Sequence, residues 1–89
     1  MPRRVDGNQR RIVAALRDMG ATVQHLHTIG HGCPDLLVAF QGRLYLMEVK
    51  MPGCGLTGDE EEWHLMWNGR VLTVYSVDDA IAALTGGKE

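Results

Sequence analysis

Nothing in the chain approaches the roughly 20 consecutive apolar residues needed to cross a bilayer. The N-terminal MPRRVDGNQRR passes straight into a charged helical pattern, with no apolar stretch behind the arginines. Neither a membrane span nor a signal peptide is expected, so the expected location is the cytoplasm. Cysteine is scarce: Cys33 and Cys54 are too few for a disulfide framework and show no CxxC spacing. Together with His25, His27, His31 and His64 they follow no usual zinc-site pattern. Net charge is small, −2 by formal count, so the chain is not uniformly basic. Internal repeats and linkers are absent, and 89 residues have room for one domain, spanning 1–89, rather than two cores. A 45% hydrophobic and 22% charged composition belongs to a folded protein rather than a disordered one.

What charge there is, is unevenly placed. Residues 1–17 hold Arg3, Arg4, Arg10, Arg11 and Arg17 against Asp6, a local excess of four positives. The acids gather in Asp59–Glu62 and Asp78–Asp79. A basic first segment suits contact with phosphates, and it equally suits an ordinary solvated helix face.

Ile12, Val13, Leu16 and Met19 recur at helical spacing, which predicts a helix over Asn8–Met19 with Asp6 as cap and Gly20 as stop. ATVQHLH alternates and reads as a strand, with Val23, His25 and His27 on one side. Thr28–Pro34 is a loop. LLVAF and RLYLMEV flank Gln41–Gly42, a hairpin in which the continuous apolar LLVAF fits a strand covered on both faces. Met51–Leu56 is a second loop. Thr57 with Glu60 three positions on forms a capping box, and Asp59–Glu62 suit a helix N-terminus. Trp63, Leu65, Met66 and Trp67 form the apolar side of that helix, and Trp63 and Trp67, four apart, are read as core or dimer packing rather than base stacking. VLTVYSV is a strand, Asp78–Leu84 a short helix, and Gly86–Glu89 a frayed tail. The order is α-β-β-β-α-β-α, an α/β domain with one mixed four-stranded sheet and flanking helices.

The hairpin carries the chemistry. Glu48 and Lys50, two apart, share a face of their strand, while Met47 and Val49 share the other. A turn at Gln41–Gly42 pairs residues whose numbers sum to about 83, which sets Asp35 beside Glu48. Two adjacent carboxylates both stay ionised only with positive charge between them. Mg²⁺ fits that role: it borrows one or two carboxylates and activates a water near a phosphate. The Val49 carbonyl is a further ligand, and Lys50 orients the water or holds the phosphate. The alternative is a Glu48–Lys50 surface pair lying across from Asp35, contributing under about 1 kcal/mol and no chemistry.

GHGCPDLLV followed by LYLMEVK resembles the PD-(D/E)XK nuclease pattern. With Asn8–Gln9, Leu56–Thr57, Trp63, Trp67 and the closing strand, nearly the whole chain resembles a stand-alone VRR-NUC (virus-type replication-repair nuclease) domain of the phage and bacterial type. The resemblance implies a restriction-endonuclease-like fold and a Mg²⁺- or Mn²⁺-dependent DNA endonuclease acting on branched or otherwise structured DNA. Asp35, Glu48 and Lys50 would be catalytic, and Asp35, Glu48 and the Val49 carbonyl would hold the metal. A homodimer with no organic cofactor is implied, in a bacterial or phage-infected cytoplasm. Gln9 and Glu60 are candidates to stand behind the ligands; Arg3, Arg4, Arg10, Arg11, His31 and Arg43 are candidates to contact DNA, with Arg70 a further cation. The chain departs from the pattern where relatives carry a first-helix glutamate near Arg11, and where they carry glutamine in place of Glu60. The missing carboxylate motivates a second reading, a DNA-binding module that keeps the fold and has lost turnover. A third is a small interaction subunit whose acids are surface residues.

Overall fold

A computed structural model describes residues 7–86. Arg3, Arg4 and Asp6 lie outside the described residues, as does the end of the tail beyond Gly86. Seven elements follow the expected order: α1 (Gly7–Asp18), β1 (Thr22–His25), β2 (Leu36–Phe40), β3 (Arg43–Val49), α2 (Gly58–Met66), β4 (Leu72–Val74) and α3 (Val77–Thr85). They build a small α/β domain whose sheet runs β1-β2-β3-β4. The first three strands are antiparallel to their neighbours, and β4 is parallel to β3. No helix among the described residues is long and apolar enough to cross a membrane.

The hairpin has its expected register. Leu36 pairs with Met47 and Phe40 with Arg43, so paired residue numbers sum to 83. Gln41 and Gly42 both take positive φ, 52° and 78°, the mirror-image turn whose twist matches that of the flanking strands.

Side-chain alternation divides the sheet into two unlike faces. Val23, Leu36, Val38, Met47, Val49 and Val74 point toward α1 and α3 and meet Ile12, Leu16, Ala80 and Leu84 in the core. Ile12, Leu16, Leu36, Val38 and Met47 have no solvent exposure there, each contributing about 1.5–3 kcal/mol by leaving water. Tyr45 lies half-buried against this core. Asn8 ties the start of α1 to the far end of β3, its Nδ2 donating to the Lys50 carbonyl at 3.0 Å and the Tyr75 carbonyl at 3.3 Å.

The second face bears Leu37, Leu44, Leu46, Glu48 and Lys50, and α2 lies over it. The capping box forms: the Glu60 amide donates to Thr57 Oγ1 at 3.3 Å, and the Thr57 amide donates to Glu60 Oε1 at 2.8 Å. The expected apolar side of this helix is corrected by the structure. Leu65 is 83% exposed, Met66 77% and Trp67 47%, while Glu60 is the buried residue of the helix. Polar contacts to the sheet orient α2, and they turn Leu65 and Met66 outward.

Candidate functional site

The site is built at the C-terminal end of β3. Pro34, buried ahead of β2, delivers Asp35 to the position across from Glu48, and both carboxyls are inside, at 3% and 1% exposure. The loop before them is shaped by Gly32, whose φ is +83°. A Cβ on Gly32 would collide with the Asp59 carbonyl, so the first turn of α2 rests directly on loop backbone. That contact lowers Glu60 into the cluster from above.

Four groups meet there. Asp35 Oδ2 accepts from the Val49 amide at 2.8 Å. Lys50 Nζ reaches Glu60 Oε1 at 2.6 Å, with side-chain exposures of 16% and 8%. Glu48 is hydrogen-bonded to Asp35 and touches Glu60 as well. Burial, then the Asp35 hydrogen bond and charge, push the Glu48 carboxyl up to about 9, so it carries a proton at neutral pH. Burial also raises Glu60, but the Lys50 contact and the Thr57 amide outweigh it and hold Glu60 below the usual carboxylate range. Burial pulls Lys50 down, and Glu60, Glu48 and Asp35 together outweigh it and raise the ammonium above its ordinary value, which keeps it charged. The cluster is therefore one proton and one ammonium shared among three carboxyls.

This overturns the expected Mg²⁺ or Mn²⁺ centre. Among the described residues, no group of three or more His, Cys, Asp or Glu side chains is arranged to hold a metal ion. The positive charge that two adjacent carboxylates require is supplied internally, by the Glu48 proton and by Lys50. Asp35 Oδ2 is taken by the Val49 amide and Glu60 Oε1 by the Thr57 amide and the Lys50 ammonium, which leaves Glu48 Oε1 as the unpartnered buried oxygen, facing His64. The metal-dependent endonuclease expected from Asp35, Glu48, the Val49 carbonyl and Lys50 falls with that centre, and the metal-binding assignment falls with it.

The other candidates are dispersed. Gln9 is buried on α1, its Nε2 3.3 Å from His25 Nδ1. Arg10 and Arg11 are exposed on α1, near the end that Asn8 fixes to Lys50, and His31 is exposed on the loop with φ 57°. Arg43 sits at the hairpin end of β3, about 17 Å from Glu48 at strand rise.

Two histidines had drawn no functional reading beyond the absence of a zinc pattern. His64 Nε2 stands 3.9 Å from Glu48 Oε1, and neither buried atom has a hydrogen-bond partner. Its spacing four after Glu60 was the available signal, since helical neighbours at that distance share a face. His25 is lowered by burial, by His27 and by Arg17, with Asp35 opposing.

The chain matches no protein-family model, no curated protein and no solved structure. The nuclease-family resemblance in GHGCPDLLV and LYLMEVK therefore gains no support from these comparisons.

Proposed function

We propose that this chain is a DNA-binding module of restriction-endonuclease-like architecture, related to the VRR-NUC pattern it resembles, that has lost efficient hydrolysis. The observation that carries this reading is the self-neutralised cluster. Lys50 is paired with Glu60 and Glu48 is held protonated beside Asp35, whereas Arg10 and Arg11 are exposed on α1 at the same end of the sheet. The first helix holds these arginines where the nuclease pattern would hold a carboxylate. Cations at that edge suit backbone phosphates, which dominate affinity without requiring sequence readout. His31 is not part of that edge: it lines a depression with Asp59 and Glu62 on the α2 side of the sheet. As a homodimer, two such edges would face two strands, compensating for the small surface of one chain.

Fluorescence anisotropy with labelled duplex, flap and four-way-junction DNA tests the reading, run across salt and with Mg²⁺ or EDTA. Binding should persist in EDTA and should weaken steeply with salt, Mg²⁺ acting as a competing counterion. Arg10→Ala and Arg11→Ala should each flatten the log–log salt slope by about 1. Absence of binding at about 50 mM salt would remove the DNA reading. Mg²⁺-dependent cleavage that disappears in Lys50→Ala would instead restore a working nuclease.

A further inference from the structure

The sheet's second face continues beyond the acid cluster into a groove of about 520 Å³, floored by Leu26, Leu37, Leu44 and Leu46 and walled by Trp63 and Trp67. The two tryptophan rings stack at 4.6 Å and 21°, forming a flat wall rather than a buried plug. Ile29 and Leu44 on its rim are 58% and 72% exposed, and Trp67 is 47% exposed. Met66, 77% exposed, extends the surface past Trp63. These four residues expose roughly 500 Å² together, near the top of the range for the largest apolar patch of a monomer. One partner of a standard interface covers roughly 800 Å², so an interface here would take in the half-buried floor and the charged rim as well.

Charge is arranged along this face with a polarity. Arg70 lines one end of the groove and shares a neighbouring depression with Arg43, Leu44 and Leu46. At the other end, Asp59 and Glu62 line a depression that shares Trp63 with the groove. Asp59 and Glu62 stand in the first half of the nine-residue α2, roughly 13 Å long, and Arg70 follows its C-terminal end. Positive end, apolar middle and negative end form a pattern that is its own complement under a two-fold rotation. Nucleic acid suits it poorly, because phosphates meeting Arg70 would be carried along the groove toward Asp59 and Glu62.

We infer that this α2–sheet groove is the contact face between two copies of the chain, with Arg70 of each copy meeting Glu62 and Asp59 of the other across the stacked tryptophans. The inference rests on the two-copy part of the proposed function, supplies its interface, and is independent of DNA binding. Leu44 lies on the groove rim beside Arg43 and Arg70, and the charged pairs there set orientation more than affinity.

Sedimentation equilibrium from about 1 µM to 1 mM tests it, with far-UV circular dichroism and thermal melting as the folding control for each variant. Wild type should be a dimer, and Leu44→Glu, at a site already exposed in one chain, should be a folded monomer. Arg70→Glu should weaken association about tenfold at low salt, and adding Glu62→Arg in the same chain should restore it, because reversing both charges re-forms both pairs. Wild type that stays monomeric throughout would overturn both the two-copy reading and this face. A wild-type dimer that survives Leu44→Glu would overturn the face alone. DNA titration of the Leu44→Glu monomer is read separately: loss of dimer with retained weak binding per chain fits both proposals. Failure of DNA binding in a dimeric wild type removes only the DNA reading.

Discussion

Replacing Glu48 with glutamine isolates the proton that the fold places in the acid cluster. Glu48 is 1% exposed, and its carboxyl titrates at about 9 rather than at its ordinary 4.5. A folded-state value above the unfolded one means that the folded chain binds the proton more tightly through that window. The stabilisation is complete below about pH 4.5 and is lost as pH rises toward 9. At about 1.4 kcal/mol per unit, the interval between 4.5 and pH 8 corresponds to at most about 5 kcal/mol. That value already contains the opposing pull of Lys50, and relaxation of the cluster and entry of water on ionisation reduce the expected loss to about 3 kcal/mol. Glutamine is nearly isosteric, keeps a donor toward Asp35 and does not titrate. Urea denaturation between about pH 5 and pH 9 should show wild-type stability falling while Glu48→Gln stays level. At pH 8 the variant should melt roughly 15 °C higher. Both proteins should still lose stability on acidification, because Glu60 is held below the usual range and its contribution disappears once it is protonated. Parallel alkaline profiles for the two proteins would refute the buried proton, and with it the explanation for the missing metal centre.

Two further perturbations test how α2 is attached. Gly32→Ala places a Cβ against the Asp59 carbonyl at a φ of +83°, so it should cost about 2–4 kcal/mol by urea denaturation; a neutral result would mean that the loop does not support α2. Glu60→Ala removes one half of the capping box and the partner of a mostly buried ammonium, so it should cost about 2–4 kcal/mol and should not be additive with Thr57→Ala in a double-mutant cycle.

Local signals made most of the fold legible. Gln41–Gly42 between two apolar runs fixed the turn, and the turn fixed the register that brings Asp35 to Glu48. Thr57 and Glu60 marked the start of α2 through the spacing of a capping box. The side chains meeting at the cluster were legible too, because strand alternation places Glu48 and Lys50 on one face. Their charge states were not. Whether two carboxylates are bridged by a cation or share a proton depends on burial and on a third carboxyl arriving from α2, and the hairpin pattern contains neither. The outward turn of α2 was hidden for a related reason. Trp63, Met66 and Trp67 have helical spacing, which identifies a common face without saying whether protein or solvent lies against it.

Glu60 Oε1 connects these two misreadings. The same oxygen accepts from the Thr57 amide, closing the helix start, and from Lys50, closing the cluster. Because that oxygen belongs to both, α2 is oriented by a polar contact at its first turn rather than by an apolar stripe along its length. His64, one turn later, lies toward Glu48 in the same orientation. Any orientation that points Glu60 and His64 at the sheet must leave Leu65 on the far side, since it is displaced by about 100° from His64 and by more from Glu60. Met66, about 160° from His64, is turned away with Leu65, and Trp67, about 60° from His64, is left at the margin of the helix–sheet contact, where it lines the groove instead of filling a core. The contact that removes the metal centre is thus the contact that presents the apolar face. The two features belong to one geometric choice made at the first turn of α2.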